Sequence, residues 1–136
     1  MTDTVTPQRR SEIMSRVRSK DTVPELAVRR IVFGLGRRYR LHVRNLPGRP
    51  DLVLQRDRKI INVNGCMWHQ HAGCKLARLP KSRLDFWLPK LEANKARDRR
   101  NNRDLKGAGW RVLTVWECEL PHGTKLRRKI EGFLNA

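Results

Sequence analysis

Apolar positions along this chain follow two periods, and the switches between them mark out its elements. Ile13, Met14 and Val17 fall at helical spacing among Arg9, Arg10, Arg16, Arg18 and Lys20, which predicts a short basic helix after a polar start over residues 1–7. That helix is either a solvated face or an arm lying along phosphates, and its charge density favours the arm. Leu26, Ile31, Val32 and Leu35 give a second apolar stripe, and Gly34 and Gly36 mark its end near residue 36. Thr22 can cap this helix and Pro24 is tolerated in its first turn. Glu25 can close a capping box, so on sequence it reads first as a cap.

Alternation with a period of two follows. Tyr39 to Val43 reads as a first strand, Asp51 to Leu54 as a second and Lys59 to Val63 as a third. The turn-rich NLPGRP over 45–50 and the pair Arg56-Asp57 separate them, and Asn64-Gly65 closes the third. Helical patterning resumes at Ser82-Arg83-Leu84-Asp85, a start resembling a capping box with Asp in place of Glu, which carries Phe86 and Trp87. Pro89 then sits near the start of a longer, strongly polar helix running to about Lys106 and stopped by Gly107 and Gly109. Trp110 to Trp116 is a fourth strand. Thr124 can cap a last helix holding Leu126, Ile130, Phe133 and Leu134. The order helix, helix, three strands, helix, strand, helix predicts an α/β sheet with helices packed around it. With 136 residues, no internal repeat and no linker, residues 1–136 are expected to form one domain, with 1–20 as its basic arm.

Charge narrows the partner. Lys and Arg total 31 against 13 Asp and Glu, a formal net charge of +18 spread along the whole chain. Nucleic acid is the first candidate for such a surface and an anionic membrane its rival. No apolar stretch approaches the ~20 residues of a spanning helix. The first twenty residues lack the apolar centre of a secretory signal, so a cytoplasmic location is expected.

One stretch does not read as packing. Ile60 to Cys74, IINVNGCMWHQHAGC, holds two of the three cysteines and places Cys66, His71 and Cys74 at C-x4-H-x2-C spacing. Cys118 follows in VWEC. Taken singly, each is a small buried thiol or an ordinary imidazole. Together they form the three-thiolate, one-imidazole set that zinc takes in structural sites, with no cysteine left over. Three cysteines also cannot all pair, which fits a reducing compartment and a metal better than a disulfide scaffold.

Other groups suit phosphate chemistry. Asp51 opens an apolar strand, where a carboxylate at a sheet end can hold a divalent cation, although Pro-Asp is also an ordinary turn. Asn94 and Asp98 lie one helical turn apart on a shared face. Asp98, among Arg97, Arg99 and Arg100, reads equally as an ion-paired surface carboxylate. His69 needs no place among the zinc ligands, and an imidazole near a metal can take a proton from water. Trp68 is balanced between core and a wedge entering a base stack, with Met67 and Trp87 in the same group. Trp110 and Trp116 read as core.

Four segments, LPGRPDLVL, GCMWHQHAGC, SRLDFWLPKLEANKARDRR and GWRVLTVWECEL, together resemble the Vsr (very short patch repair) mismatch endonucleases, over about residues 8–133. The resemblance implies a restriction-endonuclease-like fold, a central mixed β-sheet flanked by helices, with a structural zinc. It implies a Mg²⁺-dependent enzyme that nicks one strand 5′ of the thymine in T:G mismatches left by 5-methylcytosine deamination. Asp51 would hold the magnesium with a main-chain oxygen near Val63, and His69 would be the general base. Asp98 and Glu25 would act around the site, and Asn64 stands at a further active-site position. Cys66, His71, Cys74 and Cys118 would hold the zinc. Met67, Trp68 and Trp87 would form a wedge into the DNA, and the N-terminal helix with Arg9, Arg10, Arg16 and Arg18 would clamp the duplex. Expected partners are mismatched duplex DNA and mismatch-repair accessory proteins, with no membrane, for a bacterial monomer.

Two residues depart from the family pattern. Asn64 stands where a second active-site histidine is usual, and it can donate a hydrogen bond but cannot carry a proton. Met67 replaces a phenylalanine and stacks less well on a base. Alternatives are therefore a weakened or inactive mismatch-binding protein, or a related nuclease with another structured DNA substrate. A zinc-stabilised RNA-binding protein is a third.

Overall fold

The computed structural model describes residues 22–79 and 81–136; the predicted basic helix, with Arg9, Arg10, Arg16 and Arg18, lies outside them. The described chain is a mixed α/β structure. Its order is α1 (Val23–Gly34), β1 (Arg40–Leu41), β2 (Leu52–Leu54), β3 (Lys59–Asn64), α2 (Leu84–Gly107), β4 (Arg111–Trp116) and α3 (Gly123–Asn135). The strands pair in the order β1-β2-β3-β4. β1 with β2 and β2 with β3 are antiparallel, whereas β3 with β4 is parallel.

Alternation of side chains about the sheet creates two apolar layers. Leu52, Leu54, Ile61 and Val115 face Val28 and Val32 of α1 and Leu126, Ile130 and Leu134 of α3. Val53 and Ile60, their immediate neighbours in sequence, meet Leu105 of α2 and Trp110 on the other side. β2 and the first half of β3 are buried on both faces, which is why Leu52-Val53-Leu54 and Ile60-Ile61 are apolar at consecutive positions rather than alternating. Lys59 is buried as well; its ammonium donates to the carbonyls of Leu134 (2.8 Å) and Ala136 (2.9 Å), which absorbs the cost of the charge.

The element boundaries differ from the sequence expectations at several points, each with a local cause. β1 covers only Arg40–Leu41, because His42 adopts a φ of 47° and leaves extended geometry. The expected Ser82 cap does not form: Arg83, in the left-handed region at φ 56°, precedes α2 without a side-chain cap. Pro89 lies within α2 and does not divide it. Near enough to the start, it removes one backbone donor without ending the helix. His122, not Thr124, precedes α3. Thr22 caps α1 as expected, its hydroxyl accepting from the Glu25 amide at 3.4 Å.

α2 is strongly polar, and only Leu91 and Leu105 are buried in it. Its stripe Trp87, Leu91, Asn94, Asp98, Asn101, Leu105 recurs every three or four residues and so lies on one face. Leu105 anchors the far end of that face in the second apolar layer. At about 1.5 Å per residue the helix runs for roughly 36 Å.

Ile61 sits fully buried at the centre of the larger layer. Ile61→Ala is expected to lower stability by about 2–5 kcal/mol, read from a denaturant titration at unchanged m-value.

Candidate active site and metal centre

The parallel pairing of β3 with β4 brings the cysteine cluster together. Register runs from Lys59↔Arg111 to Asn64↔Trp116, so both strands leave the sheet at the same end and side by side. Cys66 and Cys118 each follow their strand by two residues. Glu117 ties the exits together by accepting the Cys66 amide at 3.2 Å. Cys66, His71, Cys74 and Cys118 present ligand atoms that all lie within 4.8 Å of one another. His71 Nδ1 stands 3.7 Å from Cys66 Sγ and 3.4 Å from Cys118 Sγ. Around a tetrahedral ion with Zn–S near 2.3 Å and Zn–N near 2.05 Å, that separation would be about 3.6 Å. The residues therefore fit a zinc ion.

The ring of His71 is held flat against Trp116, with centroids 4.1 Å apart and planes 7° off parallel. Trp116 is thus half-buried packing for a ligand rather than the core residue its strand position suggests; Trp110 is core as expected. All three cysteines are free thiols. Burial pushes the Cys66 thiol up to about 12, so without a cation it stays protonated. A bound metal inverts that preference.

The second cluster lies beside it, at the same end of the sheet. Asp51 precedes β2, and its carboxylate accepts the Val63 amide of β3 at 2.7 Å. Asn62 accepts the Asp51 amide at 3.4 Å. On the other side His69, in the loop between Cys66 and His71, meets Asp98 of α2 at 2.6 Å, Nδ1 to Oδ2. An ionised carboxylate only accepts, so Nδ1 donates in this contact, and it is the neutral ring that keeps a lone pair at Nε2. Asp98 is thus an orienting partner of His69. The reading as a surface carboxylate paired to flanking arginines does not describe it. One turn earlier, Asn94 donates to the Trp68 carbonyl at 3.2 Å and fixes the same loop.

Glu25, Asp51, Val63, Asn64, His69 and Asp98 all line one cleft of about 490 Å³. Arg44, Arg49, Asn101 and Asn102 add donors to its wall. Glu25 is 3% exposed. Its amide serves the helix cap, but its carboxylate reaches Arg29 at 3.2 Å and His42 Nε2 at 3.5 Å. The expected cap is thus made by the Thr22 hydroxyl, while the Glu25 carboxylate, expected to close a capping box, faces Arg29 and His42. His42 is the residue the sequence reading passed over. It stands between Glu25 and Asp51, with Nδ1 3.9 Å from Asp51 Oδ1. Glu25, His42 and Asp51 form a second group able to hold a metal. A carboxylate pair also fits a hard cation such as Mg²⁺.

The proposed wedge residues are half-buried and belong to neither apolar layer. Trp68 meets Trp87 edge-on at 5.6 Å, and Trp87 meets Phe86 at 5.2 Å. Lys90 holds its ammonium within 6 Å of all three rings, at 5.4, 5.7 and 5.8 Å. Phe86 is 47% exposed. Met67 shares the loop, and its carbonyl accepts from the Gln70 side chain at 2.6 Å.

Residues 2–75 match the family described as DNA mismatch endonuclease Vsr. The chain belongs to the Vsr family. Among curated relatives, the type II nicking enzyme V.XorIIP of Xanthomonas oryzae pv. oryzae is 49% identical, covering 99% of this chain and 98% of the relative. The type II nicking enzyme V.NmeAIP of Neisseria meningitidis is 39% identical, over 96% and 92%. The DNA mismatch endonuclease Vsr of Escherichia coli is 42% identical, over 86% and 74%. Membership makes the chain a DNA endonuclease of the strand-nicking class, and a nuclease of this kind implies a divalent metal. No helix among the described residues is long and apolar enough to cross a membrane.

The cleft is built at a cost to stability. Burial, with the nearby Glu25 charge added, raises Asp51 from 3.8 to about 6 despite the Val63 amide. Between those two values the folded chain binds more protons than the unfolded one, so this group's contribution to stability falls as pH rises from about 4 through 6. In metal-free protein at pH 7.5, Asp51→Asn is therefore expected to be more stable than the native chain, by on the order of 2 kcal/mol, and the gap should close below pH 4. Thermal melts of both chains across that range, in chelator, check it.

Proposed function

We propose that this chain nicks one strand of duplex DNA on the 5′ side of the thymine in a T:G mismatch, with Mg²⁺ in the cleft and zinc in the cysteine cluster. The observation that carries this reading is that His69, braced by Asp98, and Asp51 open onto the same cleft. The whole chain acts as one restriction-endonuclease-like domain, as a monomer in the bacterial cytoplasm, with mismatch-repair accessory proteins as further partners.

In this reading Asp51 and the main-chain oxygen of Val63 hold the magnesium. When bound, Mg²⁺ supplies positive charge to the scissile phosphate and the departing 3′ oxygen. His69 takes the proton of the attacking water at Nε2, while Asp98 keeps the ring oriented and stabilises the imidazolium. Glu25 supports the metal side of the cleft, and Asn64 donates a hydrogen bond to a phosphate oxygen. Met67, Trp68 and Trp87 enter the base stack beside the mismatch, which has less pairing and stacking to lose than a Watson–Crick step. Arg9, Arg10, Arg16 and Arg18 clamp the backbone, and the +18 charge supplies sequence-independent affinity.

A second reading has an observation behind it. Asn64 lines the cleft and cannot carry a proton, which favours a mismatch-binding protein with weakened turnover. One assay separates the two. A methylation-site T:G duplex with end labels on each strand is incubated with Mg²⁺, against a C:G control. The first reading expects a single nick 5′ of the mismatched T, at least about 100-fold slower in Asp51→Ala and His69→Ala. Asn64→His should raise the rate if position 64 limits it. Binding of T:G duplex without a nick in either the native or the Asn64→His chain would favour the second reading.

The zinc assignment is tested apart from catalysis. Cys118→Ser is expected to lose its metal by elemental analysis and to unfold at markedly lower denaturant, because structural zinc contributes on the order of 10 kcal/mol to small metallodomains.

A further inference from the structure

We propose that Lys129 of α3 is a positioning residue for the zinc centre: through Glu119 it fixes the turn that carries Cys118, and so governs how tightly the cluster keeps its ion. This rests on the zinc assignment. It adds a determinant on an element that supplies neither a candidate metal ligand nor any part of the cleft wall.

The turn Glu117–Glu119 is where the cluster is put together. Cys118 lies at its centre. Trp116, just before it, holds the His71 ring flat at 4.1 Å. Glu117 accepts the Cys66 amide at 3.2 Å. Three of the four candidate ligands therefore take their places from this one turn. The fourth, Cys74, is joined to His71 by its amide, which donates to the His71 carbonyl at 3.3 Å.

Glu119 ties that turn to α3. One carboxylate oxygen accepts the Trp116 amide at 3.0 Å, and both accept from Lys129, at 2.8 and 2.9 Å. The ammonium also donates to the Thr114 carbonyl of β4 at 3.2 Å. An ammonium has three donors, so all are used, and Lys129 bridges the end of β4 to the turn that follows it. Its charge acts in the same direction. Three thiolates and the two glutamates of the turn would surround one divalent ion, and Lys129 offsets part of that excess.

A half-exposed ion pair adds little to global stability by itself. Groups that hold metal ligands in place act differently, and losing one typically lowers metal affinity by about 10–100-fold. The signature of this role is therefore a loss of zinc out of proportion to any loss of stability.

The test is the zinc affinity of the full chain, measured by competition with a chromophoric chelator. Lys129→Ala and Glu119→Ala should each lose about tenfold or more. The double variant should lose no more than either single one, because the two side chains act as a unit. Lys129→Arg should keep most of the native affinity. Glu119→Gln keeps an acceptor for the Trp116 amide and should lose less than Glu119→Ala. Co²⁺ loaded in place of zinc should give the same thiolate-to-metal absorption in every variant, because the four ligands are untouched. Two controls separate positioning from charge and from stability. Lys125 lines the hollow beside the cluster, and Lys125→Ala should stay within about twofold of native. Val32→Ala opens the core and should lower stability while losing less zinc affinity than Lys129→Ala. Native affinity in Lys129→Ala, additive losses in the double variant, or an equal loss in either control overturns the proposal and leaves the zinc assignment standing. A native chain that binds no zinc removes both. If Lys129→Ala does not fold, Glu119→Gln decides, and unchanged affinity there overturns the proposal.

Discussion

The 2.6 Å contact between His69 and Asp98 is the joint on which the site depends. It links a short loop, which has little regular structure of its own, to the longest helix among the described residues. The loop is held at both ends by the cysteine–histidine cluster and in the middle by α2, through Asp98 at His69 and Asn94 at the Trp68 carbonyl. Without the cluster, the loop would have to order itself against roughly 1–2 kcal/mol of backbone entropy per residue. Without α2, the imidazole would have no fixed tautomer. Asp51 needs neither, since β2 and β3 fix it, so the two halves of the cleft are positioned by separate structural means.

α2 explains how a helix with almost no core can be so well placed. Its inward stripe changes character along its length. Trp87 meets Trp68, Leu91 is buried, and Asn94 and Asp98 bond to the loop. Asn101 packs against Gly48, whose φ of 77° and lack of a side chain admit it, and Leu105 ends in the sheet's second layer. A polar helix is normally left to solvent. Here the polar positions are the contacts.

Much of this was legible in the sequence, and the rest was hidden for definite reasons. Spacing gave the four zinc-type ligands and suggested the type of site. It could not bring Cys118 to the others, because that depends on the parallel β3–β4 register. Asp51 at a strand start was readable, whereas its desolvation was not. Asp98 was masked by three neighbouring arginines, since sequence shows the charges beside a residue and not the partner across a cleft. His42 sat inside an alternating run that looked like ordinary strand. Its left-handed backbone and its two carboxylate neighbours come from tertiary contacts that a period of two cannot encode. At Glu25 the local pattern announced a capping carboxylate, whereas the cap is Thr22 and the Glu25 carboxylate faces Arg29 and His42, partners that only the fold brings near.

The same stripe has a mechanical consequence. Trp87 and Asp98 are carried on one continuous rod, with eleven residue steps between them, or roughly 16 Å at 1.5 Å per step. On the proposed reading, the place where a duplex is pried apart and the place where its backbone is severed are therefore set by a solid ruler rather than by a hinge. Adding one residue between them would swing the aromatic end by about 100° around the rod, so the offset of the cut is written into the length of α2 and can be altered only in whole turns.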